Sequence, residues 1–261
     1  MFNYKIKFAK KSDVDKIDDD VVFDMIEDYF NTLYNNGQVI GGFDVFSHNG
    51  EIFLTVVLPM EDSLSDKYSN GYVKERLEKL ESVFDIEVIK EGDNLEYYKS
   101  CTCEKPSWYY LYSSFFQEEG SLVCGDCNRP VPLYKVPYIL REKEHNSLTN
   151  WQSAYMSMHN LWMYGHWNKF TYGQFCLHNS KLNREGRRIR KELEKILRMP
   201  VYYYLYYFDL GEAVAYMRGT PEVCPKCGGE WARDGEFCKC EKCRLLADDP
   251  EWKGRKSEKD N

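Results

Sequence analysis

The chain has 261 residues, 43% hydrophobic and 30% charged, with a formal net charge of -7. These values describe an ordinary globular protein of one or two domains plus a small module, at roughly 150 residues per domain. No apolar run reaches the ~18 residues of a membrane-crossing helix, and the opening MFNYKIKFAKK lacks the apolar stretch of a signal peptide, which excludes a helical membrane span and points to the cytoplasm. In that reducing compartment the ten cysteines read as metal ligands rather than disulfides.

The charge is uneven. Residues 1–100 carry 11 Lys and Arg against 21 Asp and Glu, a net of -10, while residues 101–261 carry 24 against 21, a net of +3. An acidic surface repels polyanions, so nucleic-acid contact is expected only after residue 100. The same acidic part suits docking of a basic protein.

In chain order, residues 4–8 alternate as a strand. Asp18, Asp19 and Asp20 offer capping oxygens for a helix whose stripe is Val22, Ile26, Tyr29 and Leu33, with Gly37 near its end. Residues 39–46 and 52–58 form two strands joined at His48-Asn49-Gly50, a strong hairpin signal. A second helix is expected over 66–83 with Val73, Leu77, Leu80 and Phe84 on one stripe, then a strand at 86–89. This order matches the β-α-β-β-α-β ferredoxin-like plait, a fold that hosts many unrelated functions. Tyr97-Tyr98 and residues 108–112 are aromatic strand candidates, and 131–137 is a Pro-punctuated extended stretch. Helices are expected at 147–164 and 179–198, separated by Gly165 and Gly173, then a strand at 201–208 (VYYYLYYF). The expected organisation is α+β: a plait over 1–93, a central α+β region with a first four-cysteine site over 94–219, a zinc ribbon over 220–247 and a disordered polar tail over 248–261.

Two cysteine groups carry the strongest signal. Cys224 and Cys227 form one C-x-x-C pair, and Cys240 and Cys243 form another 12 residues beyond it. Each tight turn aims two thiolates at one ion, and two turns complete a tetrahedron, with Gly228 and Gly229 letting the backbone curl near the sulfurs. Zinc is the favoured metal, with iron as the alternative that four thiolates also accept. Cys238 is surplus to this set, with a substitute-ligand role as the alternative. In the other group Cys101-x-Cys103 is followed 20 residues later by Cys124-x-x-Cys127, with Gly125 in the turn. C-x-C is the looser spacing, and a site using three of these cysteines with another ligand stays open. Two zinc ions are expected. Four protein thiolates leave no open coordination position, so both sites read as structural rather than catalytic. Cys176 stands alone as a small core residue.

Trp151, Tyr155, Met158 and Trp162 fall at helical spacing and read as a buried aromatic stripe, with a base-stacking platform as the alternative; His159 and His166 lie nearby. In KLNREGRRIRKELEKILR, Leu182, Ile189, Leu193 and Ile196 share one face at 100° per residue. Arg184, Arg187, Arg188, Lys191, Lys195 and Arg198 occupy the opposite face, where a phosphate-binding stripe competes with a plain solvated surface. No G-x-S-x-G, G-x-x-x-x-G-K, H-E-x-x-H or dinucleotide fingerprint occurs, so no enzyme signature is found and no small-molecule cofactor is evident.

The strings SLVCGDCNRPVPLYKVP, LTNWQSAYMSMHNLWMYG, QFCLHNSKLNREGRRIRKELEKILRMPVYYYLYYF, CPKCGGEW and FCKCEKCRLL together resemble a bacterial family of uncharacterised zinc-ribbon-containing proteins that carries a nucleic-acid-binding label. The resemblance covers residues 95–247. It implies a zinc ribbon at Cys224, Cys227, Cys240 and Cys243 and assigns no catalytic residue. The expected function is a cytoplasmic, zinc-stabilised binding protein that contacts nucleic acid through its C-terminal half. The alternative is an immunity or antitoxin-type protein that captures a basic partner with its acidic N-terminal domain.

Overall fold

The computed structural model describes residues 1–12, 17–113, 120–207 and 219–251. The strands are β1 Phe2–Lys10, β2 Ile40–His48, β3 Glu51–Leu58, β4 Phe84–Asp93, β5 Tyr109–Leu111, β6 Leu122–Cys124, β7 Val201–Tyr204, β8 Ala232–Asp234, β9 Phe237–Cys240 and β10 Leu245–Asp248. The helices are α1 Asp19–Asn36, α2 Gly71–Glu81, α3 Asn146–Met163, α4 Asn168–Cys176 and α5 Lys181–Leu197. The architecture is mixed α+β, in two compact units. One comprises Met1–Lys105 and Phe116–Asn150, the other Pro106–Phe115 and Trp151–Asn261.

The first unit is built on an antiparallel sheet of order β2-β3-β1-β4. Asp18 caps α1 by accepting a hydrogen bond from the Asp20 N–H at 3.2 Å. Val22, Ile26, Tyr29 and Leu33 are buried as their spacing requires, against Ile6, Phe8, Leu54 and Leu80. Gly37 ends α1 at φ 78°, and a Cβ there would fall 2.4 Å from Leu133 Cβ, so both the turn and the packing demand glycine. Asn49 (φ 52°) and Gly50 (φ 80°) make the expected hairpin turn.

Two local expectations are corrected in this unit. The second helix begins at Gly71 rather than at 66, because the Asn70 side chain accepts from the Val73 N–H at 2.9 Å and sets the start; Asp66–Tyr68 is a separate 3-10 turn. Tyr97 and Tyr98 form no strand, and the extended stretch at 131–137 contains a 3-10 turn at Leu133–Lys135.

A buried polar network fastens the segment before α3 to the first sheet and its helices. Asn36 donates to Gln38 Oε1 at 2.7 Å and to the Tyr68 carbonyl at 2.9 Å, and it accepts from Asn70 and the Tyr138 hydroxyl. Gln38 donates to the Ser63 carbonyl at 2.7 Å, and the His145 N–H donates to the Asn35 carbonyl at 2.8 Å.

In the second unit the sheet runs β5-β7-β10-β9-β8. β7 is parallel to β5 and β10, whereas β10, β9 and β8 pair antiparallel. α5 is capped by Ser180, whose hydroxyl accepts from the Asn183 N–H at 3.1 Å. Its apolar face, Leu182, Ile189 and Leu193, is buried, but Ile196 is 40% exposed because the helix ends at the next residue. Gly186 lets Tyr203 lie against the helix, and Tyr203 donates to Asn183 Oδ1 at 2.8 Å. Trp151 and Tyr155 join this core, while Met158 and Trp162 are half-buried.

Gly173 does not separate helices: it lies inside α4, an element the sequence reading passed over. The strand expected over 201–208 is regular only to Tyr204, and Phe208 lies outside the described residues, as does the tail from 252 on.

Candidate metal centres

Eight of the ten cysteines gather in two groups of four. Cys101, Cys103, Cys124 and Cys127 meet in the first unit, and Cys224, Cys227, Cys240 and Cys243 meet in the second. Within each group the four Sγ atoms all lie within 4.8 Å of one another. Metal–thiolate bonds of about 2.3 Å in a tetrahedron imply sulfur–sulfur edges of about 3.8 Å, and Cys227 Sγ lies 3.7 Å from Cys240 Sγ. Each group could hold one metal ion.

The backbone explains why these sulfurs converge. The Cys124 N–H donates to the Arg129 carbonyl at 3.0 Å and the Asn128 N–H to the Cys124 carbonyl at 2.9 Å. The Cys224 N–H donates to the Gly229 carbonyl at 2.8 Å and the Gly228 N–H to the Cys224 carbonyl at 2.8 Å. These two knuckles therefore repeat one hydrogen-bond pattern, closed by bridges between Val123 and Pro130 and between Val223 and Glu230. In both, the residue after the second cysteine is left-handed: Asn128 at φ 53° and Gly228 at φ 68°. Asn128 thus makes the turn, and Gly125 does not take a left-handed conformation.

The Cys240–Cys243 turn uses Arg244 at φ 53° in the same place, after which Leu245 pairs with Cys240 across β9 and β10. The looser C-x-C pair is held differently. The Cys101 N–H donates to the Pro130 carbonyl at 2.8 Å, and the Cys103 N–H donates to Cys101 Sγ at 3.4 Å.

Burial pushes the Cys101 thiol well above its ordinary range, raises Cys240 to about 12 and raises Cys243. Cys227, hydrogen-bonded by the Gly229 backbone and its neighbouring thiols, is drawn down to about 7. In the C-terminal quartet Cys227 is thus drawn toward the thiolate while Cys240 and Cys243 are held toward the thiol. A cation among them removes that resistance, since thiolates bind the metal that thiols do not. A Cβ on Gly229 would lie 3.4 Å from Cys227 Sγ, so the glycine leaves the sulfur room.

Cys238 lies in β9, buried and outside the quartet, and Cys176 ends α4 half-buried, its thiol pushed to about 11 by burial.

The basic face of α5 is interrupted by acids. Arg188 pairs with Glu185 at 2.6 Å and Lys195 with Glu192 at 2.7 Å. Arg184, Lys191 and Arg198 are exposed with no carboxylate within 4.0 Å among the described residues, and Arg187 is half-buried. In β8 Arg233 pairs with Asp249 and Glu251, and after the Cys240–Cys243 turn Arg244 pairs with Glu194 and Glu241.

His166 is exposed, and His159 is buried against the rings of Phe175, Trp162 and Tyr206. Sequence reasoning missed His145, which is fully buried with neither ring nitrogen hydrogen-bonded among the described residues. Burial lowers its pKa to about 4, while the nearby Leu133 backbone acts the other way.

Two protein families match the chain: a domain of unknown function, DUF8589, over residues 1–88, and another, DUF2310, over residues 103–206. An uncharacterized protein of Haemophilus influenzae is 29% identical over 229 residues, covering 81% of this chain and 85% of its own. A second uncharacterized protein of that organism is 30% identical over 164 residues, covering 60% of this chain and 78% of its own. The crystal structure of an antibiotic biosynthesis monooxygenase overlaps 36% of this chain and 99% of its own at 11% identity, with a TM-score of 0.26.

Proposed function

Because this chain belongs to the family of the Haemophilus influenzae proteins it matches, a family without a stated activity, we propose its function from its own residues: a zinc-stabilised binding protein of the cytoplasm that contacts nucleic acid through its C-terminal unit. The observation that carries the metal part is the pair of thiol quartets, each with all four Sγ atoms within 4.8 Å. All-cysteine tetrahedra suit zinc, and ten free cysteines suit a reducing compartment. Four protein ligands leave no position for water or substrate, so we read both centres as structural and the protein as non-enzymatic.

We read the first sheet, of antiparallel order β2-β3-β1-β4 with two helices, as a ferredoxin-like plait, and residues 220–247 as a zinc ribbon. The family matches at 1–88 and 103–206 support a module boundary near residue 93.

The nucleic-acid part rests on the charge split and on Arg184 and Lys191 of α5 and Arg198 at its end, which have no carboxylate partner among the described residues. Retention of the metal-loaded full chain on immobilised DNA or RNA, falling as salt rises, is the expected result. Absence of retention at low salt overturns this part. The net of -10 over residues 1–100 supports a second reading, capture of a basic protein by the first unit. One-to-one capture that is lost when exposed α1 carboxylates such as Asp20 and Asp24 are neutralised supports it, and capture indifferent to those changes removes it.

A further inference from the structure

Acids make up 42 of the 261 residues, yet none occurs from His145 to Arg184. Over those positions the charged residues are Lys169, Lys181 and Arg184, all basic. The same span holds the chain's most exposed rings among the described residues, apart from Tyr98: Tyr164 is 76% exposed, Trp167 72% and Phe170 54%. Apolar rings of this size are ordinarily covered, and three of them within seven residues form a patch rather than scattered exceptions.

The backbone holds the patch in a particular way. α3 ends at Met163, Gly165 turns at φ 76°, and Trp167 starts α4 in the left-handed region at φ 51° and ψ 38° without capping it. A glycine or asparagine takes that conformation readily, and a tryptophan does not. The fold therefore tolerates strain at the residue whose indole faces solvent, which marks the position as a candidate for function. Trp167, Asn168, Lys169 and Phe170 line one open notch.

At the other end, α4 is tied to the start of α5. The Asn183 side chain donates to the Phe175 and Leu177 carbonyls at 2.9 and 2.8 Å, and the Ser180 hydroxyl donates to the Gln174 carbonyl at 2.8 Å. Lys181 and Arg184 thus stand at the far end of α4, roughly 14 Å along its nine residues at 1.5 Å each. His178, in the turn between α4 and α5, is held down by burial and then by the positive charges of Arg187 and Lys226, a sign that positive charge converges there.

We propose that this surface, carried on a segment without acids, binds single-stranded nucleic acid, with Tyr164, Trp167 and Phe170 stacking on unpaired bases and Lys169, Lys181 and Arg184 neutralising the phosphates. The proposal rests on the nucleic-acid reading above and specifies its site and its ligand class. Exposed rings and cations supplied by a segment without acids match a strand that offers both a base face and a phosphate. Duplex bases are stacked on one another and offer rings no such face.

The test is anisotropy of fluorescein-labelled oligothymidylate, oligouridylate and a DNA duplex, titrated with the metal-loaded full chain. Both single strands are expected to bind more tightly than the duplex. Trp167→Ala and Tyr164→Ala should each weaken single-strand binding by about tenfold with little change in salt slope, and Trp167→Phe should retain most of it. Unchanged metal content and unfolding temperature confirm that the variants fold, as expected for exposed side chains. Tight single-strand binding indifferent to both alanine variants overturns this site and leaves the nucleic-acid reading standing, as does preferential duplex binding. No binding to any of the three overturns both. Self-association lost in Trp167→Ala, with no oligonucleotide bound, assigns the patch to a second copy and overturns the proposal.

Discussion

Cys227 Sγ and Cys240 Sγ lie 3.7 Å apart although they come from different turns 13 residues apart. That is the separation of two ligands on one tetrahedral ion, and the two turns reach it by placing a left-handed residue, Gly228 or Arg244, directly after the second cysteine. Replacing Cys224 or Cys243 with Ser is expected to release one metal ion per chain and to unfold the segment from 221 to 248. Structural zinc contributes an apparent ~10–16 kcal/mol, more than a segment of this size gains from packing. Cys238→Ala keeps the metal, because Cys238 stands outside the quartet. Metal loss from Cys238→Ala together with retention in Cys240→Ala, measured by elemental analysis, means the ligand set is wrong.

Gly186 and Tyr203 give a packing prediction. A Cβ at 186 would lie 2.2 Å from Tyr203 Cε2 and 2.7 Å from Trp151 Nε1. Gly186→Ala raises helix propensity by up to about 1 kcal/mol, but the overpacking cost of about 1–3 kcal/mol outweighs it. Urea unfolding of the metal-loaded protein should show a net loss of stability, and a gain contradicts the packing described.

His145 makes a pH prediction. Its folded pKa of about 4 lies below the ordinary 6.5, so below 6.5 the unfolded chain takes up a proton that the folded chain refuses. Stability is lost as pH falls from 6.5 toward 4, by on the order of 3 kcal/mol in full. Thiolate protonation acts over part of the same range, so the comparison is with His145→Gln, which removes only the histidine contribution. The drop in unfolding temperature between neutral and mildly acidic pH should be smaller in the variant, and equal drops contradict a buried neutral imidazole.

The α5 stripe separates paired from unpaired cations. Arg184 and Lys191 have no carboxylate partner among the described residues, whereas Arg188 is held by Glu185 at 2.6 Å. If nucleic acid contacts this face, Arg184→Gln with Lys191→Gln should reduce the log–log salt slope by up to about two. Adding Arg188→Gln should change it little. An equal drop from Arg188→Gln alone shows that the Glu185 pair opens on binding.

Much of the first sheet and its helices is legible because its signals are local. The α1 stripe from Val22 to Leu33 and the Asn49-Gly50 turn each depend on a few neighbouring residues. The cysteine quartets are legible because metal spacing is itself a local constraint. α4 was missed because Asn168–Cys176 carries no apolar stripe: it is placed by the Trp167 turn and by Asn183 gripping its end. The start of α2 was misplaced because the side chain of Asn70 outweighs the propensity of the residues before it. The buried Asn36, Gln38, Ser63 and His145 cannot be read from hydropathy, since what buries them is partners distant in the chain. On a helical projection Glu185, Glu192 and Glu194 flank the basic stripe of α5, and side-chain geometry adds which cations they hold, Arg188 by Glu185 and Lys195 by Glu192.

The central claim is that both quartets are zinc centres. Elemental analysis and native mass spectrometry of the full chain, purified without chelator and without added metal, test it together. The account predicts two zinc ions per chain, one lost in Cys224→Ser and the other in Cys124→Ser. One zinc per chain, with Cys124→Ser unchanged, contradicts the first centre, and iron with visible absorption contradicts the choice of metal.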